Sequence, residues 1–233
     1  MSWTLGNLDL IWDLTLNHLR LAILPIALSF VIAVPLGWLA NRNAISRSII
    51  ITAGSLLYTI PSLPLFVMLP IIIGTRVLDD TNLIVALTLY GVAIMVRSAS
   101  DGLAAVDRST IQAAKAMGYS PVSSFWRVEL PLAGPTLLAG MRVVSVSTIA
   151  LVSVGVIIGS QNLGYLFQNG KQRGILEEVG AGIIVSMLLA LLIDFLLVLI
   201  GRILLPWSHA TRSQRGSGAQ IFTALGPKSG AMG

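Results

Sequence analysis

Long apolar runs separated by short polar breaks dominate this chain, and the length of each run sets what it can do. A helix needs about 20 predominantly apolar residues to cross the hydrocarbon core of a bilayer. The first such run covers residues 19–39 and contains Pro25 and Pro35, which predict kinks. Residues 1–15 ahead of it mix Trp3 and Trp12 with Asp9 and Asp13, the composition of an interfacial lead-in. A short loop at 41–48 carries Arg42 and Arg47. Residues 49–74 stay apolar for longer than one span requires, and Pro61, Pro64 and Pro70 interrupt them. They form either one broken crossing or two short ones. Further spans are expected at 82–96, 133–158 and 179–205, the last closed by Pro206 and Trp207. Polar regions at 97–132 and 159–177 separate them. The tail, 207–233, is rich in Gly, Ser, Arg and Ala, a composition that predicts disorder.

Composition supports this pattern. Of 233 residues, 55% are hydrophobic and 11% charged, where soluble domains carry about 25% charged residues. Lipid demands that every backbone polar group be satisfied internally. The alternation of an outer-membrane barrel is absent, so the expected class is an all-α integral membrane protein. A net charge of +5 would suit a nucleic-acid partner, but here it reflects basic cytoplasmic loops, and none is expected. If 49–74 crosses once, 11 of the 15 Lys and Arg residues fall on one side; Arg20, Arg76, Lys171 and Arg173 fall on the other. That bias favours about five transmembrane helices, the second broken, with the N-terminus outside and the C-terminus in the cytoplasm. No basic region precedes the first apolar run, so a cleaved leader is not expected. The absence of cysteine excludes disulfides, thiolate ligands and thiol nucleophiles.

The polar stretch 109–131, STIQAAKAMGYSPVSSFWRVELP, now falls in the cytoplasm. Ser109 and Gln112 have the spacing of a capping box. Ala113, Ala114, Lys115, Ala116 and Met117 are good helix formers, and Gly118 stands where a helix ends in a left-handed residue. Ser120 restarts a helix with Pro121 at its first position. That second helix carries Phe125, Trp126 and Val128 and is expected to stop before Pro131. The result is two short helices with a hinge between them. Taken alone, such a stretch is equally an amphipathic loop lying on the membrane surface.

The spacing carries more than the composition. Ala-Ala, three residues, Gly, nine residues, then Val-x-Leu-Pro resembles the EAA loop of binding-protein-dependent ABC import permeases. The match covers Gln112, Ala113, Ala114, Gly118, Val128, Leu130 and Pro131, with Lys115 inside it; Gln112 replaces the family's usual Glu. Four stretches resemble the branch that imports glycine betaine, carnitine and choline: TIPSLPLF at 59–66, LTLYGVAIMVRSASDGL at 87–103, QAAKAMGYSP at 112–121 and GSQNLG at 159–164. The resemblance runs from about residue 16 to 206 and implies the type I importer permease fold, with the paired helices coupling to an ATPase. It further implies two permease subunits, by self-pairing or with a paralogue, two cytoplasmic ATPases that bind ATP and magnesium, and an external binding protein. In this family aromatic cages of the binding protein hold the quaternary ammonium by cation–π attraction.

The chain's own chemistry is sparse. Residues 164–171, GYLFQNGK, have five residues between the glycines and Gln172 after the lysine, so they read as an external loop and no phosphate loop. His18 and His209 lie on opposite sides of the expected membrane, so no shared metal site follows. No catalytic residue and no cofactor are expected in this chain. Asp194 is the one acid deep in a span, where charge is expensive. It is either a structural partner for Arg142 or part of a pathway, which Tyr58, Tyr90, Met68, Met95 and Ser98 would also line or merely pack beside. The competing classes are an ABC permease for another solute such as an amino acid, a secondary transporter or channel, and a membrane-embedded enzyme. A secondary transporter needs intramembrane ionisable groups, and Asp194 alone is thin support for one.

Overall fold

The computed structural model describes residues 2–207, which form helices joined by short connections with no strand among them. A short α1 (Ser2–Gly6) leads into α2 (Leu8–Ala40), followed by α3 (Ala44–Thr59), α4 (Ser62–Ile73) and α5 (Asp80–Ala104). The polar region holds α6 (Arg108–Ala116) and α7 (Pro121–Ser124). A π turn (Phe125–Glu129) joins α7 directly to α8 (Leu130–Val152), which tightens into a 3-10 turn (Ser153–Ile158). Then come α9 (Gly164–Arg173) and α10 (Leu176–Leu204).

The packing is organised on α5. It runs parallel to α2, and small residues bring the two backbones together. A Cβ on Gly91 would lie 2.0 Å from the Ser29 hydroxyl oxygen, and one on Gly37 2.6 Å from the Ala99 Cβ. Such close approach is how helices gain packing in lipid, where hydrocarbon solvent supplies no hydrophobic drive. Three stacked clusters fill the interior. Leu21, Phe66, Leu87 and Tyr90 belong to one; Met95, Leu103, Phe125 and Val144 to the second; Ile11, Leu163, Leu166 and Leu189 to the third.

The broken pair α3–α4 follows α5 in the opposite direction. Near its start, the Arg47 guanidinium donates to Asp101 at 2.6 Å. At its break, the Tyr90 hydroxyl donates to the Ile60 carbonyl. Just past its end, the Thr75 hydroxyl donates to Asn82. Positions 47, 60 and 75 thus meet 101, 90 and 82 in turn. Asn82 to Asp101 covers about 28 Å at roughly 1.5 Å per residue, close to the ~30 Å of a bilayer core. The pair therefore reaches from one end of α5 to the other despite a bend of 104° between its halves. This is the geometry of one broken crossing.

Several boundaries differ from the sequence expectation. The first span begins at Leu8, so residues 8–15 of the expected lead-in are helical, and Pro25 and Pro35 sit inside one unbroken helix. The loop expected at 41–48 shrinks to 41–43, because the Asn43 side chain accepts from the Ser46 N–H and starts α3 at once. The third span continues past Arg97 to Ala104, since Ala99, Ser100, Gly102 and Leu103 all pack inward. The polar loop 159–177 contains the helix α9, so Gly164 to Lys171 is helical and not a loop. The helix after Pro121 does not stop before Pro131. Leu130 donates its N–H to the Phe125 carbonyl, the wider π pattern, just ahead of a proline that has no N–H to give. The tail from 208 onward, with His209, lies outside the described residues.

Reporter insertions test the crossing. One placed at Asn43 and one at Arg76 are expected to read opposite sides of the membrane; the same side for both means that α3–α4 turns back.

Candidate functional site

At the end of α5, Val106 is buried and the chain turns into α6. The cap of α6 is Asp107 and not Ser109: its carboxylate accepts from the Ser109 N–H at 2.8 Å, placing Ser109 inside the helix. A carboxylate at this position meets both the orphan N–H groups and the positive end of the helix. The same hydrogen bond holds the Asp107 carboxyl below its ordinary pKa. Gln112 is thereby relieved of a capping role and lies exposed, as do Ala113 and Lys115, while Ala114 alone is buried.

The hinge forms as the spacing predicts. Gly118 has φ +86. Tyr119 donates its N–H to the Ala114 carbonyl at 3.1 Å and Gly118 to Lys115 at 3.0 Å, the paired bonds of a Schellman termination. Ser120 then caps α7, its hydroxyl accepting from the Ser123 N–H, with Pro121 at the first position. Met117, Val122 and Trp126 stand exposed around this turn, an apolar patch at a polar end of the molecule.

Behind the patch the turn is tied to the spans. Phe125 is buried, with its ring centroid 5.1 Å from those of both Trp38 and Trp126. The Arg42 guanidinium lies over the Trp38 ring at 4.5 Å, a cation–π contact. Arg47 donates to Asn41 at 2.7 Å as well as to Asp101, and the Ser100 hydroxyl donates to Asn41 at 2.9 Å. The π turn brings Val128, Leu130 and Pro131 into half-buried positions where α8 begins. The α6–α7 turn is thus joined to α2 through the Phe125–Trp38 ring contact and to α8 through continuous helix.

Within the span region, Arg142 on α8 and Asp194 on α10 meet in a bidentate pair, Nε to Oδ1 at 2.6 Å and Nη2 to Oδ2 at 2.7 Å. Tyr58 and Tyr90 meet edge to face, with centroids 6.0 Å apart, at the α3–α4 break. Met68 is exposed on α4, whereas Met95 is fully buried in the second cluster, where it and Ser98 approach Gly140. The structure does not gather these residues into one site.

Sequence reasoning missed the polar staples at the opposite end. His18 is fully buried: its Nδ1 accepts from the Leu163 N–H at 3.3 Å and its Nε2 faces the Ile149 carbonyl at 3.0 Å. An imidazole accepting at one nitrogen donates from the other, so this geometry fixes the neutral tautomer. Glu178, also buried, accepts from Asn169 at 2.6 Å, with Arg173 at 3.9 Å from its other oxygen. Asn169 and Glu178 lie nine residues apart on two helices, and only recognition of α9 as a helix would have paired them.

The family description "Binding-protein-dependent transport system inner membrane component" matches residues 33–208. The osmoprotectant import permease protein OsmW of Salmonella typhimurium is 31% identical over 213 residues, covering 88% of this chain and 97% of that protein. The choline transport system permease protein OpuBB of Bacillus subtilis is 28% identical over 192 residues, covering 82% of this chain and 87% of its own. Among solved structures, an inward-facing form of the MetNI methionine ABC transporter superposes with a TM-score of 0.76 at 23% identity, over 85% of this chain and 98% of that one.

Two substitution series test the geometry. A Cβ at Gly118 would meet nothing within 4 Å, so only its positive φ resists substitution. Gly118→Val is expected to lose about 1–3 kcal/mol of local stability, read as faster hydrogen exchange at Tyr119, while Gly118→Asn stays near wild type. For the ion pair, Asp194→Asn lowers the melting temperature of the purified protein. The charge-swapped double variant recovers part of it; no recovery means that the pair is not what stabilises α8 against α10.

Proposed function

This chain belongs to the family of binding-protein-dependent transport system inner membrane components and is the permease subunit of an ABC importer, and we propose that it carries small quaternary-amine osmoprotectants such as glycine betaine, choline or carnitine. Its partners as a family member are an ATPase and a substrate-binding protein. We assign residues 8–206 to the permease domain, 1–7 to an external lead-in, and 105–132 to the cytoplasmic coupling region. The N-terminus lies outside and the C-terminal end inside. Two such subunits, two ATPases and one external binding protein make the working complex, with ATP and magnesium held by the ATPases and no catalytic residue in this chain.

The observation that carries this reading is the capped helix pair with an exposed apolar turn, built on Gly118 and fused through the π turn to a span. An ATPase that grips Gln112, Ala113 and Lys115 and the patch around Met117, Val122 and Trp126 would act on a lever already joined to α8. Substrate class rests on other grounds. A quaternary amine keeps its charge at every pH and offers no hydrogen bond from its ammonium, so a cavity that passes it needs weakly polar walls and no carboxylate cluster. Asp194, the one acid well inside a span, is already engaged by Arg142, and Tyr58 and Met68, both exposed, supply aromatic and thioether surface on the α3–α4 pair. The relatives' names agree with that class.

Deletion of the gene is expected to reduce uptake of labelled glycine betaine, choline or carnitine, most at high osmolarity, and an ATPase subunit is expected to co-purify with the tagged chain. Unchanged uptake of all three together with loss of an amino acid contradicts the substrate class and leaves the permease assignment standing.

A further inference from the structure

The end of the spans that carries the α6–α7 turn holds more cations than its acids engage. A cleft of about 450 Å³ opens there between the α2–α3 turn and the start of α6. Arg42, Arg47 and Arg108 line it, and Glu129 is the one acid among its lining residues. Arg47 is held by Asp101 at 2.6 Å and by Asn41 at 2.7 Å. Glu129 accepts from the Ser124 hydroxyl at 3.1 Å, and Asp107, next to Arg108, accepts from the Ser109 N–H that it caps. Among the described residues, Arg42 and Arg108 make no hydrogen bond and no ion pair. The sequence beyond residue 207 contains no Asp or Glu to match them. Arg42 lies over the Trp38 ring at 4.5 Å, a contact that supplies no lone-pair acceptor for its N–H groups.

The chemistry of a ligand follows from the parts of the cleft. At its rim, two guanidinium groups without a carboxylate present forked donors, which suit a phosphate. Its floor is apolar: Leu103 and Val106 are buried, and Trp38 and Ile111 are half-buried. Trp38 lies in the last turn of α2, where a span leaves the hydrocarbon and indole rings collect. The cleft therefore opens at headgroup depth. From its edge, Ile45, Ile49 and Leu56 run along one exposed face of α3, an apolar track toward the middle of the membrane. A free phosphate would use the rim alone, whereas a phospholipid uses rim, floor and track together. The excess of cations selects further. It repels the choline ammonium of a zwitterionic lipid and attracts a headgroup with net negative charge, as basic pockets between spans do.

We propose that this cleft binds the phosphate of an anionic phospholipid, with Arg42 and Arg108 as its donors and an acyl chain lying along α3. This needs only that the chain spans a membrane; it depends neither on the transported substrate nor on what grips the turn around Gly118. Arg42 belongs to the turn after α2, and Arg108 opens α6. One bound headgroup therefore bridges the spans and the base of the α6–α7 turn, at a place where no side-chain ion pair joins them.

The test is photolabelling by lipid. The transporter, purified with its ATPase, is reconstituted in phosphatidylcholine nanodiscs with a trace of phosphatidylglycerol that carries a diazirine near its headgroup. A matched preparation carries the same diazirine on phosphatidylcholine. After illumination, mass spectrometry maps the adducts. Peptides covering 38–49 and 103–111 are expected to carry at least fivefold more phosphatidylglycerol than phosphatidylcholine. Arg42→Gln and Arg108→Gln each lower that adduct at least threefold. Arg202→Gln, which removes an exposed arginine from the last turn of α10 at the same end, leaves it unchanged. Equal labelling by the two lipids overturns the proposal. So does an equal loss with Arg202→Gln, which makes the effect one of overall charge. Displacement of the lipid by inorganic phosphate, but not by chloride at the same ionic strength, makes the cleft a site for a soluble anion and overturns the lipid as its occupant. The comparison of the two lipids uses the unaltered chain, so it decides the proposal even where a variant fails to assemble.

Discussion

A backbone in lipid must pair its own N–H and C=O groups, and every interruption of a helix within the membrane has to find a substitute partner. In this fold the substitutes are few and identifiable. The Ile60 carbonyl, left at the break between α3 and α4, accepts from the Tyr90 hydroxyl. The Ile149 carbonyl, in the last regular turn of α8, faces the His18 imidazole. Pro131 follows a π turn that shifts the hydrogen-bond pattern just ahead of it. At the polar ends, Asn43, Asp79, Asp107 and Ser120 accept backbone N–H groups and begin the next helix without a long loop. The connections before these four helices need no long loop, because each has its cap.

That economy has a mechanical consequence. With α2 and α5 joined through small residues and α3–α4 fastened to α5 at three successive depths, these four helices are tied into one packed unit. The α6–α7 turn is largely exposed, and it is tied to the rest through Phe125, Trp38 and the π turn. In the coupling role proposed above, a push on the exposed turn would reach α8 through the π turn that joins them. At the other end α9 and α10 are clamped by Asn169, Glu178 and Arg173, and His18 holds the start of α9 against α2 and α8.

Much of this was legible because the relevant signals are local. Run length placed the spans, Gly118 and the Ser120–Pro121 start placed the hinge, and a deep acid with a deep base on neighbouring spans offered the Arg142–Asp194 pair as one of two readings of Asp194. The errors arose where two local solutions were both sound. Ser109 and Asp107 can each cap a helix, and the charged one won because it also meets the helix dipole. Pro131 reads as a stop, but a π turn lets the helix pass it. Helix α9 was hidden because it is polar and holds Gly164 and Gly170; Leu166 and Gly170, both fully packed, show that tertiary contact makes it a helix. The Trp38–Phe125 contact and the His18 staple join residues far apart in sequence, and no spacing rule reaches them.

The turn around Gly118 is, in the function proposed above, the surface an ATPase grips. The direct measurement is disulfide or short-linker crosslinking from single cysteines at Met117 and Val122, in the otherwise cysteine-free chain, within the actively transporting complex. A crosslink from both positions to the ATPase subunit is expected, with a yield that changes when ATP is trapped. Crosslinks to the external binding protein, or none to the ATPase in a complex that still transports, would contradict it.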